Sequence, residues 1–408
     1  MTILIISPYL PHPLAGHGGG VYLFEMVRRI AALHDVTLIS FADEQERRLA
    51  GDHLGLPVTV HIVPRKKGPV RSPGKAVTLA VTRVLQFARS LVRWEPYLAG
   101  KFHHRRMSDT IREVTSSRQF DIVQLEYAQM GQYAGDVRSG VTVLHEHDVI
   151  LRTMHRYRAA ARSPLAKARI LFERCRWNSY ERRMVRRFRG VSTLTRPDEM
   201  LLEWWTGRSG IAVIPPGVDS PPASAVGGNR DGNTLLFAGN LLQAPNDDAA
   251  VWLCSEIFPL IAAAHPAARL SIIGRSPSPA LRRAAEDPRI TLPGFVEDLS
   301  SQFLLAGIFV APLRLGGGMK IKILQALAHG IPVVTTPVGA EGITGLTSGS
   351  ARIARTADAI ARHCIELLRD PDRARAMGNQ GRMLVNENFS WSAVLERTTA
   401  YYTNLLTP

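Results

Sequence analysis

The chain has 408 residues, of which 45% are hydrophobic and 21% are charged, and its formal net charge is +15. This length and composition allow two domains with full hydrophobic cores and exclude an extended disordered protein. The cysteines lie far apart and match neither a metal-binding spacing nor a disulfide framework, so we expect free thiols in a reducing cytoplasm. No run approaches the roughly 18 uninterrupted apolar residues that a membrane span needs, and no secretory signal is visible.

Strand and helix patterns alternate through the first half of the chain. Short β-branched runs predict buried strands, and apolar residues spaced three and four apart predict helices. The predicted strands are 3–7, 36–41, 58–63, 121–126, 141–144, 190–194 and 211–214, and the predicted helical stretches are 20–33 and 74–117. This alternation predicts a doubly wound parallel sheet.

A second series of the same kind follows a stretch rich in Pro, Gly, Ser and Asn at 215–233, which we interpret as a linker. Its predicted strands are 234–239, 270–273, 290–292, 308–311 and 332–336, and its predicted helices include 247–264, 357–368, 372–387 and 391–405. The predicted fold class is therefore α/β, with two Rossmann-like doubly wound parallel-sheet domains facing a central cleft. Sheets of this kind bind ligands at the carboxyl ends of their strands.

The segment 308–334 joins a buried strand to a helix through a glycine triplet at 316–318. Helical spacing begins at Met319 and stops at a Gly-Ile-Pro sequence. Glycines at a helix start let backbone N–H groups approach an anion, which the helix dipole also favours. Lys320 and Lys322 add positive charge there, so the pattern favours a phosphate ligand, although a flexible turn explains the triplet equally well. The segment matches neither a Walker loop nor Gly-x-Gly-x-x-Gly.

Residues 316–336, which read Gly-Gly-Gly-Met-Lys-Ile-Lys-Ile-Leu-Gln-Ala-Leu-Ala-His-Gly-Ile-Pro-Val-Val-Thr-Thr, resemble the donor-site segment of retaining GT-B glycosyltransferases of family 4, the glycosyl transferases group 1. The resemblance covers nearly all of 234–336 and, more loosely, 3–219. It implies an N-terminal acceptor-side Rossmann-like domain at 1–217 and a C-terminal nucleotide-sugar-binding domain at 218–388. It also implies a C-terminal helix at 389–408 that crosses back to the N-terminal domain.

The resemblance also suggests roles for individual residues. His147 falls on the family's histidine near the transferred sugar, and it is predicted to be catalytic together with Lys320. Glu126 and Tyr127 end another predicted strand and are candidates for holding the acceptor, although a strand-end polar pair without a ligand explains them at least as well. The predicted donor-binding residues are Gly18, Gly19, Gly239, Asn240, Asn246, Arg275, Val296, Gly316, Gly317, Gly318, Lys322, Gln325 and Glu341.

Several of these positions depart from the family pattern. Asn240 and Asn246 stand where the family's phosphate clamp has Arg and Lys, and Gly317 and Gln325 stand where it has a pair of glutamates. Gln325 can still hydrogen-bond ribose hydroxyls, but it carries no charge. Phosphate neutralisation then shifts to the lysines of the glycine segment, and Glu341 is a candidate replacement for the lost carboxylate. A catalytically silent homologue therefore stays an alternative.

His145 and His147 lie two apart on a predicted strand, so both point the same way, an arrangement that suits a metal ion together with Asp148. Third and fourth ligands do not follow at a useful spacing, so we expect no metal site. We also expect no required cofactor, with a UDP or GDP sugar as the donor substrate.

Positive charge is concentrated at 152–189, and a second basic zone runs through 65–118. Such surfaces attract anionic lipid, nucleic acid or phosphorylated substrates, although solvated helix faces explain them as well. We favour a cytoplasmic protein that docks on the inner face of the plasma membrane, near a glycan or lipid-linked acceptor. We expect no nucleic-acid partner.

Together with these patterns, the resemblance implies a retaining glycosyltransferase that moves a sugar from a nucleotide-diphosphate donor to an acceptor hydroxyl in cell-envelope, polysaccharide or glycolipid synthesis. Neither a nucleophile-and-base pair nor an Asp-x-Asp metal motif is convincing, so catalysis would rest on positioning and on stabilising the leaving diphosphate. Two further alternatives stay open: a GT-B sugar-nucleotide epimerase, which needs acid/base carboxylates, and a polyanion-binding protein that has lost catalysis.

Overall fold

The structure of the chain is a computed structural model that describes residues 1–13, 18–50, 55–65, 88, 90–161, 163–225 and 230–407. The chain forms two compact units: unit 1 comprises Met1–Ile214 and Leu395–Pro408, and unit 2 comprises Pro215–Val394. The domain limits predicted at residues 217 and 388, and the roles assigned to the two domains, stay predictions.

Unit 1 is organised around a parallel sheet. Its strands are β1 (Thr2–Ser7), β2 (Asp35–Ala42), β3 (Thr59–Pro64), β4 (Ile122–Glu126), β5 (Val141–Glu146), β6 (Gly190–Thr193) and β7 (Ala212–Val213). Within the described residues they form one sheet in the order β3-β2-β1-β4-β5-β6-β7, with every neighbouring pair parallel. The central strands read as continuous apolar runs because both faces of the sheet are covered. The predicted doubly wound sheet is therefore confirmed.

Helices of unit 1 pack on this sheet through apolar stripes. They are α1 (Gly18–Ile30), α2 (Glu44–Ala50), α3 (Tyr97–Lys101), α4 (Arg105–Ser117), α5 (Ile150–Ala160), α6 (Pro164–Arg187) and α7 (Arg196–Thr206). In α1, the buried residues Tyr22, Met26 and Ile30 lie on one face. The predicted helical stretch 74–117 falls partly outside the described residues, and its described part contains α3 and α4.

Unit 2 repeats the architecture. Its strands are β8 (Asp231–Ala238), β9 (Arg269–Ile273), β10 (Ile290–Gly294), β11 (Ala306–Ala311), β12 (Val333–Thr335) and β13 (Ala351–Ile353). The part of the chain that the structure describes gives the order β10-β9-β8-β11-β12-β13, again with parallel neighbours. The short strand β13 was not predicted, because three residues with an arginine in the middle carry no strand pattern.

Helices of unit 2 are α8 (Ala244–Trp252), α9 (Phe258–Ala264), α10 (Pro279–Ala284), α11 (Leu299–Leu305), α12 (Ile321–Ala328), α13 (Ala357–Arg369) and α14 (Pro371–Asn388), and a last helix, α15 (Trp391–Leu406), is shared with unit 1. The continuous helix predicted at 247–264 is wrong in detail, because a π-helical turn at Leu253–Ile257 separates α8 from α9. Pro259 explains the interruption, since proline cannot donate the hydrogen bond that an uninterrupted α-helix requires. Apolar cores cover both faces of the sheet.

Helix α15 begins in unit 2 and ends in unit 1. Its second half packs on the unit 1 sheet, where the Tyr401 hydroxyl donates to the Val191 carbonyl oxygen at 2.9 Å. Tyr402 is fully buried. Gly190 lies under this helix, since a Cβ there would lie 2.6 Å from Leu405 Cδ1. Among the described residues, no helix is both long enough and apolar enough to cross a membrane.

Candidate functional site

Unit 2 brings two backbone segments into close contact at the carboxyl ends of β8 and β9. The Gly239 N–H donates to the Ile273 carbonyl oxygen at 2.9 Å. A Cβ on Gly274 would lie 2.1 Å from the Gly239 carbonyl oxygen, so a larger residue does not fit there. Gly239 therefore lies at the sheet edge where parallel α/β sheets bind ligands.

The glycine triplet forms a turn in front of α12. Gly316 and Gly318 have φ angles of +100° and +62°, left-handed values that favour glycine. The Nζ of Lys320 donates to the carbonyl oxygens of Gly317 and Gly318, each at 2.6 Å. Lys320 itself has a non-helical backbone, with φ −96° and ψ 87°. The helix therefore begins after Lys320, and the predicted start at Met319 is wrong.

Lys322, in the first turn of α12, connects the glycine segment to β8 and α8. Its Nζ donates to Asn246 Oδ1 at 2.6 Å and lies 4.6 Å from the centroid of the Phe237 ring. The Asn246 amide nitrogen in turn donates to the Asn240 carbonyl oxygen at 2.9 Å. Burial, and then the charge of Lys320, lower the pKa of Lys322 from 10.5 to about 7. Asn240 and Asn246, the two positions that depart from the family's phosphate clamp, thus hold Lys322 in place.

The other predicted donor-binding residues of unit 2 lie on neighbouring segments. Arg275 follows β9 and places its guanidinium carbon 3.7 Å from the centroid of the Phe295 ring. Phe295 is 50% exposed and was not predicted as a site residue; the available signal was an aromatic next to Val296 in a strand-end loop. Val296, Gln325 and Glu341 are half-buried, in the loop after β10, in α12 and after β12, respectively. The Arg275–Phe295 pair offers a flat surface suited to a nucleobase.

In unit 1, the ends of β4 and β5 place a carboxylate against an imidazole. Glu126 Oε2 and His147 Nε2 lie 2.7 Å apart, and both residues are buried. Tyr127 stacks on His147, with ring centroids 3.8 Å apart and planes inclined by 22°. Its φ of +68° is a strained value for a bulky residue, of a kind that clusters at functional sites. The predicted site residues Glu126, Tyr127 and His147 are therefore in contact with one another. Burial raises the pKa of the Glu126 carboxyl above its usual value.

His145 belongs to the same buried cluster and is already hydrogen-bonded at both ring nitrogens. Its Nδ1 lies 2.8 Å from Ser192 Oγ, and its Nε2 lies 3.3 Å from the Tyr22 hydroxyl oxygen. Burial lowers the pKa of His145 from 6.5 to about 4. Its ring is therefore neutral at pH 7.

The expectation that the two histidines lack a third ligand-type neighbour is wrong. Ligand atoms of Glu126, His145 and His147 lie within 4.8 Å of one another. The sequence spacing did not show this, because Glu126 comes from the adjacent strand β4. Each of these groups has a hydrogen-bond partner within the protein, which favours a hydrogen-bonded network. The expected absence of a metal stays a prediction.

A second buried group of acids was not found in the sequence. Glu146 and Glu181 are buried, and within the described residues Glu146 Oε1 and Glu181 Oε2 have no hydrogen-bond partner. Burial, followed by the charges of Asp148 and Asp198, raises the pKa of Glu146 from 4.5 to about 8. Burial, followed by Glu146, also raises the pKa of Glu181. Burial therefore disfavours the ionised form of both acids.

Gly18 and Gly19 are the first residues of α1. The helix predicted at 20–33 would leave both glycines before its start, and residues 14–17, which precede them, lie outside the described residues. Both remain at a helix start, the position where backbone N–H groups are available to an anion.

The whole described fold is similar to solved glycosyltransferase structures. Sucrose-phosphate synthase from Thermosynechococcus elongatus matches with a TM-score of 0.71 and 16% identity, over 99% of this chain and 99% of that chain. HepE from Anabaena, in complex with UDP, matches with a TM-score of 0.68 and 13% identity, over 99% of this chain and 100% of that chain. Identities this low show the fold alone, and that fold is GT-B.

Residues 232–370 match the family model for Glycosyl transferases group 1. The chain therefore carries a group 1 glycosyltransferase domain, and the predicted resemblance is confirmed. One relative, the GDP-mannose-dependent monoacylated alpha-(1-6)-phosphatidylinositol monomannoside mannosyltransferase of Corynebacterium glutamicum, is 35% identical over 35% of this chain and 41% of its own length. Since less than half of that relative is covered, its activity does not transfer to this chain without further argument.

Proposed function

We propose that the chain is a retaining glycosyltransferase that moves a sugar from a nucleotide-diphosphate donor to an acceptor hydroxyl. The observation that carries this proposal is the cluster formed by the glycine triplet, Lys320 and Lys322 in front of and within the first turn of α12. It lies inside the segment that matches the glycosyltransferase family. Two cations beside a glycine-rich helix start suit a diphosphate.

In this proposal, the lysines stabilise the diphosphate as it leaves. Lys320 and Lys322 supply positive charge, and the N-terminus of α12 supplies a fixed dipole that needs no reorganisation during the reaction. The Arg275–Phe295 pair stacks on the nucleobase. Gln325 and Glu341 are assigned to donor hydroxyls, since an amide and a carboxylate both accept hydrogen bonds.

Unit 1 supplies the histidine and the acceptor residues. His147, held by Glu126 and stacked by Tyr127, is assigned to the transferred sugar, and the same glutamate and tyrosine are assigned to the acceptor. Gly18 and Gly19, at the start of α1, are assigned to the donor phosphates. No metal and no cofactor take part in the proposed reaction, which relies on positioning and charge stabilisation.

The proposed donor is a UDP or GDP sugar, and the proposed acceptor is lipid-linked or a glycan of the cell envelope. The donor assignment draws on the GDP-mannose of the Corynebacterium glutamicum relative and the UDP of HepE. The acceptor assignment draws on the phosphatidylinositol mannoside in that relative's name. Both assignments belong to those proteins and are carried over here as a proposal.

We further propose that helices α5 and α6 dock on an anionic membrane from the cytoplasmic side. Between them lies a groove of about 640 Å³ whose lining includes Met154, Tyr157, Leu165, Arg169 and Ile170. Leu165 is 79% exposed. Apolar side chains beside arginines suit a surface of acyl chains and anionic headgroups.

Flotation with neutral and anionic vesicles tests the docking proposal. The Arg169→Glu variant should float less with anionic vesicles, whereas Arg282→Glu, which makes the same charge change on exposed α10 of unit 2, should behave as wild type. Equal flotation of all three proteins would contradict the proposed surface. Competition by RNA at physiological salt would instead favour the polyanion-binding alternative.

The glycosyltransferase proposal is tested with a panel of nucleotide sugars and lipid-linked acceptors. Thermal-shift screening identifies the donor, and mass spectrometry of the reaction then detects a glycosylated acceptor. Conversion of the donor to an isomer without acceptor would favour the epimerase, and donor binding without any product would favour a catalytically silent homologue. Absence of binding to every nucleotide would contradict the proposal.

A further inference from the structure

We propose that Tyr402 and Gln124 are positioning residues for His147, which they hold through Glu126. This inference rests on the proposed function for its catalytic meaning, but the hydrogen-bonded relay itself is a property of unit 1 alone. Tyr402 lies on α15, far from His147 in sequence and outside every motif of the chain.

The relay is a continuous series of short hydrogen bonds. The Tyr402 hydroxyl donates to Gln124 Oε1 at 2.5 Å. The Gln124 amide nitrogen donates to Glu126 Oε1 at 2.6 Å, and Glu126 Oε2 lies 2.7 Å from His147 Nε2. Tyr402, Gln124 and Glu126 are fully buried, and His147 is 7% exposed. Buried series of this kind are sensitive to the loss of any member.

The chemistry of each member fixes the direction of the relay. The Gln124 amide nitrogen can only donate, so Glu126 Oε1 accepts from it. An ionised Glu126 then accepts from Nε2–H of His147, which assigns the imidazole proton to Nε2 and fixes the orientation of the ring. Gln124 keeps this orientation because its own oxygen is occupied by the Tyr402 hydroxyl.

Loss of the Tyr402 hydroxyl would release this arrangement. The Gln124 oxygen would be left buried without that donor, which is unfavourable for a polar atom shielded from water. Rotation of the amide would relieve the cost but would turn an oxygen toward Glu126. Glu126 would then lose the hydrogen bond from the Gln124 amide, and its hydrogen bond to His147 would change.

Other titratable groups face the same carboxylate and imidazole. His145 and Tyr22 lie on one side, with the Tyr22 and His147 rings 5.5 Å apart, and Tyr127 stacks on His147. These residues are kept in Tyr402→Phe, although Tyr402 also acts electrostatically on Tyr22. A variant at Gln124, which keeps the Tyr402 hydroxyl, therefore separates the relay from that direct effect.

Tyr402→Phe tests the relay, and Tyr401→Phe is its matched control. Both variants remove one hydroxyl from neighbouring residues of α15, but the Tyr401 hydroxyl bonds to the Val191 backbone instead of the relay. The full-length protein is labelled with ¹⁵N-histidine, and a His147→Gln variant assigns the His147 resonances. NMR then follows their tautomer and titration midpoint between pH 5 and 9.

The expected result is a changed tautomer population or midpoint for His147 in Tyr402→Phe and an unchanged one in Tyr401→Phe. Gln124→Met, which keeps the side-chain volume but cannot bridge, should act as Tyr402→Phe does. In the transfer assay, kcat of Tyr402→Phe should fall roughly tenfold, as loss of about one network hydrogen bond implies, while KM for the donor stays near wild type.

Wild-type titration of His147 in Tyr402→Phe would overturn the proposal. So would a stoichiometric metal in the purified protein that depends on Glu126, His145 and His147, because the relay would then be replaced by coordination. The NMR result does not require activity. A wild-type protein without transferase activity would thus contradict the proposed function and leave the relay to be judged from the titration.

Discussion

Donor binding should weaken as pH rises through 7, because Lys322 must be protonated to hold a diphosphate. Burial and the neighbouring Lys320 lower its pKa from 10.5 to about 7 in the free protein. Its other close neighbours, Asn246 and Phe237, are uncharged and do not titrate. The diphosphate of a nucleotide sugar is fully ionised throughout this range, so the lysine sets the dependence.

The lowering of the Lys322 pKa to about 7 sets the size of the expected pH dependence. It corresponds to roughly 5 kcal/mol against protonation, at about 1.36 kcal/mol per pKa unit. A bound diphosphate offsets part of this cost and raises the pKa of Lys322 in the complex. Between the free and bound pKa values, the dissociation constant should therefore rise by up to about tenfold per pH unit.

Isothermal titration calorimetry with the preferred nucleotide sugar between pH 6 and 9, in the absence of acceptor, measures this dependence. Lys322→Arg keeps its charge throughout the range and should bind tightly with little pH dependence. Lys322→Gln lacks the charge and should bind weakly, again with little pH dependence. The reasoning is refuted if wild type shows a constant dissociation constant from pH 6 to 9, or if Lys322→Gln retains the wild-type slope.

Two further predictions concern backbone clearance and buried acids. Gly239→Ala should weaken nucleotide binding by roughly tenfold, since its Cβ would lie 2.9 Å from Asn246 Cγ and 3.0 Å from Lys322 Nζ. Gly232→Ala, near the start of β8 and with nothing within 4 Å of its added Cβ, should bind normally in the same calorimetric assay, and equal binding by both variants would contradict this expectation. The free energy of unfolding should fall as pH rises from about 4.5 to 8, because folding raises the pKa of Glu146 to about 8 and the folded chain holds a proton that the unfolded chain has lost. Urea denaturation at pH 5 and 8 should show a smaller fall for Glu146→Gln, and identical falls would count against this assignment.

The alternation of strands and helices was predictable because it depends on local patterns. The apolar run in β1 and the strand, glycine loop and helix around α12 are visible in consecutive residues. The exact first and last residues of these elements were harder to predict from the sequence. The start of α12 depends on the backbone angles of Gly318 and Lys320, and the π-helical turn at Leu253–Ile257 depends on how the chain accommodates Pro259.

Contacts between distant segments were not predictable from single motifs. Glu126 and His147 meet because β4 and β5 are neighbours in the sheet, which spacing along the chain does not reveal. Tyr402 reaches Gln124 only because the last helix packs on unit 1. In the sequence, Asn246 indicates the loss of a cationic side chain from the phosphate clamp. In the structure, the Asn246 side-chain oxygen accepts a hydrogen bond from a cation, Lys322.

A crystal structure of the protein soaked with UDP or GDP would locate the diphosphate. We expect the diphosphate at the start of α12, within hydrogen-bond distance of Lys320 or Lys322 and of a backbone N–H in the glycine triplet. A Lys320→Ala, Lys322→Ala double variant should show no nucleotide under the same conditions. A nucleotide bound elsewhere in the chain, with the glycine triplet unoccupied, would contradict the proposed donor site.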